Sequence, residues 1–160
     1  MKKALIALLS AVMLLSITAC SRSEGNGDGK EELVTEPLAD IMDAILEGTD
    51  GEIAVDNADI SQDRFSWFFG VDAIEGAEGY SSEAMIGSIA HSVALLRVPD
   101  GTDAVKLAGE IKNSVDPRKW ICVEAEKTIV KQYANIILVV MSFEGNADTI
   151  ADNFDAYFSK

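Results

Sequence analysis

Ile136-Ile137-Leu138-Val139-Val140-Met141 is the stretch on which the fold turns. Neighbouring side chains of a strand point to opposite faces, so a run that is apolar at every position has no solvent face. It reads as a central strand. The strand closes a hairpin, with Ile121 to Lys131 leading in and Asn135 to Ser142 returning. Immediately downstream, Gly145-Asn146 opens a helix with the cleanest stripe in the chain: Ala147, Ile150, Ala151, Phe154, Tyr157 and Phe158.

Working upstream, Asp116-Pro117 breaks a helix expected from Asp103 to about Ser114, capped by Thr102, with Val105, Ala108, Ile111 and Val115 inward. Pro99-Asp100-Gly101 makes the turn before it. Glu83 to Ile89 and Ser92 to Val98 read as a first hairpin, and the acidic, glycine-rich Asp72 to Ser82 as a loop. Arg64-Phe65-Ser66-Trp67-Phe68-Phe69 supplies four large aromatics to a short helix turned against the core. The stretch Thr49 to Gln62 is polar, with a short extended piece at Ile53 to Val55. Leu38, Ile41, Met42, Ile45 and Leu46 line one face of a helix that Pro37 starts and Gly48 ends. The expected class is α+β: a two-layer sandwich in which an antiparallel sheet of about four strands, in ββαββα order after an N-terminal helix, carries its helices on one face. The repeated ββα phrase hints at internal duplication.

The first residues carry a different message. Lys2 and Lys3 precede an uncharged apolar run, Ala4 to Ile17, too short for the roughly 20 residues that span a bilayer. Ile17-Thr18-Ala19-Cys20 follows and resembles the lipobox of bacterial lipoproteins. The resemblance implies diacylglycerol on the Cys20 sulfur, cleavage before that residue, and a fatty-acyl anchor on the extracytoplasmic face of the cell membrane. Ser21 to Glu32 has no apolar residue larger than glycine and reads as a tether. Its Glu24, Asn26, Asp28, Gly29 spacing lacks the ligands of a calcium loop. The expected organisation is residues 1–19 as signal peptide, 20–32 as lipidated tether and 33–160 as one domain.

Within that domain, SEAMIGSIAHSVALLRVPDGTDAVKLAGEIKN, DPRKWICVEAEKTIV and NIILVVMS resemble the bacterial lipoproteins of the domain-of-unknown-function 4358 family. The shared features are a hairpin running into a Val-Pro-Asp-Gly turn, a helix, and an Arg and Trp pair before a second hairpin. The resemblance implies envelope location and one folded unit. It implies no catalytic residues, because the family has no assigned activity.

Charge narrows the partners. The chain has 13 basic and 27 acidic residues, a formal charge of −14, and loss of Lys2 and Lys3 with the leader takes it to −16. Such a surface repels phosphate backbones, so no nucleic-acid partner is expected, and membrane residence must come from the Cys20 anchor rather than a basic patch. Cys122, in the apolar context Trp120-Ile121-Cys122-Val123, reads as a small buried hydrophobe.

No catalytic grouping emerges. His91 is the only histidine, which removes multi-histidine zinc sites, and it reads as a turn or core residue. Ser88 and Ser92 flank it, yet no Gly-x-Ser-x-Gly elbow occurs. Gly76, Gly79 and Gly87 are too scattered for a phosphate loop. The acids Glu75, Glu78, Glu83, Glu124 and Glu126 are too numerous in so acidic a chain to single out a pair. Arg118-Lys119-Trp120 is the feature that stands out, since Arg and Trp are favoured at binding centres. The competing reading is a loop in which Trp120 plugs the core and the charges sit in water.

The functional expectation is therefore a binding or interaction module contacting an envelope protein, a peptide or a small solute, with no cofactor, metal or catalytic residue. The rivals are an envelope hydrolase with carboxylates in a cleft and a structural accessory subunit of a transporter or sensor.

Overall fold

A computed structural model describes residues 32–49 and 53–159. The leader, Cys20 and nearly all of the tether expected before Leu33 lie outside the described residues. The described α-helices and strands follow in order: α1 (Leu38–Ile45), β1 (Val55–Asp59), α2 (Phe65–Phe69), β2 (Glu78–Ala84), β3 (Ser92–Arg97), α3 (Ala104–Ser114), β4 (Lys127–Tyr133), β5 (Ile136–Ser142) and α4 (Glu144–Phe158). The class is α+β, and the sheet is wholly antiparallel with strand order β1-β2-β3-β5-β4. Each hairpin joins chain neighbours, and α3 carries the chain across so that β3 lies beside β5. Among the described residues no helix is long and apolar enough to cross a membrane.

β5 is buried at every position, as its composition requires. Its alternation divides the core in two. Ile136, Leu138 and Val140, with Val93 and Leu95 of β3, pack against α1 and α4 through Ile41, Met42, Ile45, Ile150 and Phe154. Ile137, Val139 and Met141, with Ala94 and Leu96, pack against α2 and α3 through Phe65, Phe68, Phe69, Leu107 and Ile111. The helices therefore cover both faces rather than one, giving three layers instead of two. The reason lies in the opening stretch: a strand apolar on both sides must be covered on both sides.

The sheet has five strands rather than about four. β1, Val-Asp-Asn-Ala-Asp, has no apolar face to announce it and becomes a strand by pairing with β2, Val55 opposite Ala84 and Asp59 opposite Tyr80. β2 begins at Glu78, inside the stretch read as loop, because Gly79, Ser81 and Ser82 are small enough to be buried between two neighbours. β4 begins at Lys127 rather than Ile121. Cys122 sits at φ +69°, a left-handed conformation no strand accommodates, and Ala125 N–H instead donates to Pro117 C=O at 2.9 Å.

In α3 the cap is Asp103 rather than Thr102, with its carboxylate accepting from Lys106 N–H at 2.9 Å. The buried face is Ala104, Leu107 and Ile111, with Ala108 and Val115 beside it, while Val105 is 70% exposed. Both residues satisfy part of the helical period, and the larger Leu107 takes the inward position. The stripes of α1 and α4 lie as their spacing predicts.

Two opposite ends of the sheet matter below. The chain arrives at the end where β3 finishes and β5 begins: Val34 N–H donates to Asn135 Oδ1 at 2.8 Å, and Tyr157 donates to Glu36 at 2.8 Å. At the other end lie the β2–β3 loop and residues 117–126, separated from the first by the roughly 20 Å length of a six-residue strand.

Candidate functional site

The distal end holds a buried ammonium. Past α3, Asp116 turns the chain: its carboxylate accepts from Arg118 N–H at 2.9 Å and its C=O accepts from Lys119 N–H at 3.2 Å. This turn sends Lys119 inward, where its side chain is only 4% exposed. Nζ lies 3.1 Å from Glu83 Oε1 and donates to Ser92 Oγ at 2.9 Å. Glu83 and Ser92 are cross-strand partners of β2 and β3, so sheet register places both acceptors beneath the same cation. Three rings surround it, with centroids 5.1 Å away for Trp67, 4.7 Å for Phe68 and 5.1 Å for Trp120. Ring faces are negative, so they help to solvate a cation that has lost its water.

Glu83 is shared. Trp67 Nε1 donates to Oε1 at 3.2 Å, and Arg64 pairs with Oε2 at 2.9 Å while its guanidinium lies 4.9 Å over the Phe68 ring. Burial by itself would raise this carboxyl. The Lys119 charge, the hydrogen bonds from Trp67 and Lys119, and the Arg64 charge together take it below the ordinary glutamate range. Burial brings Lys119 down to about 8, against the charge and hydrogen bond of Glu83. The two partners move the same way because Lys119 is the more deeply desolvated. Two cations thus share one carboxylate.

Above the ammonium is a groove of about 440 Å³ lined by Trp67, Gly87, Ser88, Lys119, Trp120 and Ile121. Trp67 is 43% exposed and Ile121 86% exposed. Met85 and Ile86, on the β2–β3 loop, are also exposed.

The residues singled out from sequence are thereby separated. Lys119 and Trp120 line the groove, with Trp120 also packed against the core. Arg118 does not line it: its side chain is 75% exposed and reaches Glu124 at 3.8 Å. The charges do not both sit in water, because Lys119 is buried. Arg64, Trp67, Glu83 and Ser92 complete the cluster unannounced. The one available signal was Arg64 and Trp67 standing one helical turn apart, whereas Glu83 and Ser92 required knowledge of the register. Of the four aromatics expected to face the core, Phe65, Phe68 and Phe69 are fully buried and Trp67 is not.

His91 is buried, with Nδ1 2.8 Å from the Oγ of Ser142, itself buried. Burial lowers its pKa, opposed by the Glu83 charge. The acids do not converge either: Glu78 pairs with Arg97 at the tether-side end, and Glu75, Glu124 and Glu126 are exposed. Cys122 is exposed rather than a buried hydrophobe, since its left-handed backbone turns it outward in the loop. Among the described residues no three His, Cys, Asp or Glu side chains are placed to hold a metal ion. No family model, curated protein or solved structure matches this chain.

Proposed function

We propose that this chain is a membrane-anchored extracytoplasmic lipoprotein, akin to the uncharacterised lipoprotein family it resembles, whose domain is a binding module working through the distal groove. One observation carries the binding reading: Trp67 and Ile121 stand in solvent beside a cation that the fold has desolvated. A protein minimising its own free energy would fold these apolar groups inward and leave the ammonium in water. Aromatic side chains next to desolvated charge are also the composition of binding centres.

Two measurements test the two halves. Cys20→Ala should abolish incorporation of a clickable fatty acid; persistence of label would remove the anchor. The chain has two tryptophans, and both line the groove. A bound ligand should therefore shift tryptophan emission in the wild type and leave Ile121→Glu unmoved. A ligand that binds both proteins equally would place the binding surface elsewhere.

A further inference from the structure

Resting on the lipoprotein reading and its distal binding surface, we propose that the partner of that surface is the bilayer itself: the distal end tips onto the membrane that anchors the chain and seats Met85, Ile86 and Ile121 in its interface. Among the described residues, seven large apolar side chains are exposed: Leu33, Trp67, Met85, Ile86, Val105, Ile121 and Phe143. Five of them share the distal end. Met85 and Ile86 are on the β2–β3 loop, Ile121 is in the 117–126 segment, Phe143 directly follows β5, and Trp67 lines the groove with Ile121. Such a concentration of exposed apolar side chains marks a protein or a membrane contact.

Three observations favour lipid. The first is shape. Met85 is 70% exposed and Ile121 86% exposed, so both project from their loops, and projecting side chains enter a fluid interface without a matching pocket. Trp67 suits the boundary layer, because its ring is part-exposed while Nε1 already donates to Glu83 at 3.2 Å.

The second is charge. Each cation at the groove has an acid beside it: Arg64 and Lys119 share Glu83, Asp63 stands next to Arg64, and Arg118 reaches Glu124. With no free basic patch to seek anionic headgroups, the contact is apolar and suits a zwitterionic surface.

The third is reach. Leu33 is 13 residues past Cys20, up to about 45 Å of extended chain, whereas a seven-residue strand of the sheet is about 23 Å long. A chain that enters at the Asn135 end can therefore run back along the domain and bring the distal end to the anchoring bilayer. The anchor also raises the effective concentration of that surface, so a contact too small to capture a diffusing protein suffices here.

The test places the mature lipidated chain in phosphatidylcholine vesicles whose acyl chains carry bromine, a short-range quencher of tryptophan emission. Both tryptophans line the groove, so the wild type should be quenched. Each apolar-to-Glu exchange removes the burial of one large side chain, a factor of about ten or more in the docking equilibrium. Ile86→Glu combined with Ile121→Glu should therefore abolish the quenching while the chain still floats with the vesicles. Both positions are exposed, so the variant should fold. Flotation of a wild type that is not quenched would overturn the docked tip and leave the anchor standing. A chain that does not float would overturn the anchor and this proposal with it. Equal quenching of wild type and variant, or quenching that appears only when anionic phosphatidylglycerol is added, would also overturn the apolar tip. So would an emission shift that follows the protein-to-lipid ratio without bromine, which would assign the distal end to a second copy.

Discussion

Glu83→Gln probes the buried ammonium with least change of shape. At 3.1 Å the Lys119–Glu83 attraction is worth about 5 kcal/mol at an effective dielectric of about 20. A glutamine oxygen still accepts from Nζ, and a hydrogen bond to a charged group returns about 1.5–3 kcal/mol. Keeping Lys119 charged in the variant thus costs about 2–3.5 kcal/mol. Lys119 can also escape by releasing its proton. With its pKa at about 8, release costs about 1.4 kcal/mol at pH 7, about 2.7 at pH 6 and almost nothing at pH 9. A lost neutral hydrogen bond adds about 1 kcal/mol to that route.

The lower-cost route at each pH gives a deficit against wild type of about 3 kcal/mol at pH 6, about 2 at pH 7 and about 1 at pH 9. The direction agrees with linkage. Removing the Glu83 charge lowers Lys119 further than its wild-type value of about 8, so below about pH 8 the folded variant binds fewer protons than the folded wild type, and the deficit shrinks as pH rises through that window. Urea denaturation of both proteins at pH 6, 7 and 9 measures the difference. A deficit that is flat across this range, or below about 0.5 kcal/mol as for an exposed pair, refutes the reasoning.

Three further outcomes are expected. Gly70→Ala should destabilise by at least about 3 kcal/mol in urea denaturation, because Gly70 sits at φ +67° and an added Cβ would lie 2.5 Å from the Ser114 carbonyl carbon and oxygen; the same shift of α2 should alter Trp67 emission. Phe154→Ala should cost about 3–5 kcal/mol by leaving a cavity between α4 and the sheet, while Ile121→Glu should stay within about 0.5 kcal/mol of wild type because that side chain is solvent-facing; equal thermal stability of the two variants would contradict the burial pattern. Cys122 should react with a maleimide in the native protein without denaturant, because its thiol is exposed.

What could be read early was whatever a single element displays along its own length. α1 and α4 showed their stripes because each has one face on the core and one in water. β5 showed itself as central because apolar residues fill both of its faces. Of β1 only an extended piece ending at Val55 was expected, and the start of β2 was read as loop: Val55–Asp59 and Glu78–Ser82 are mostly polar or small, and they become strands through backbone pairing, β1 with β2 and β2 also with β3. The aromatic run of α2 was legible as a core anchor, and which of its four rings would turn outward was not. Cys122 misled because apolar neighbours usually mean burial, whereas here a left-handed residue lifts the loop out of the core.

The candidate site divides the same way. Trp120 and its basic neighbours stood out by composition in an acidic chain. That Lys119 goes inward while Arg118 stays in water depends on the turn at Asp116 and on a carboxylate 36 residues away in sequence. Periodicity and net charge are properties of the chain itself, so sequence alone determined the stripes of α1 and α4, the doubly apolar strand and the acid-rich composition. The pairing register decided the rest: five strands, two covered faces, one carboxylate between two cations, and a groove a sheet's length from the tether-side end. Those are matters of which distant residues share a low-dielectric space, and only the assembled sheet brings them within a few ångströms of each other.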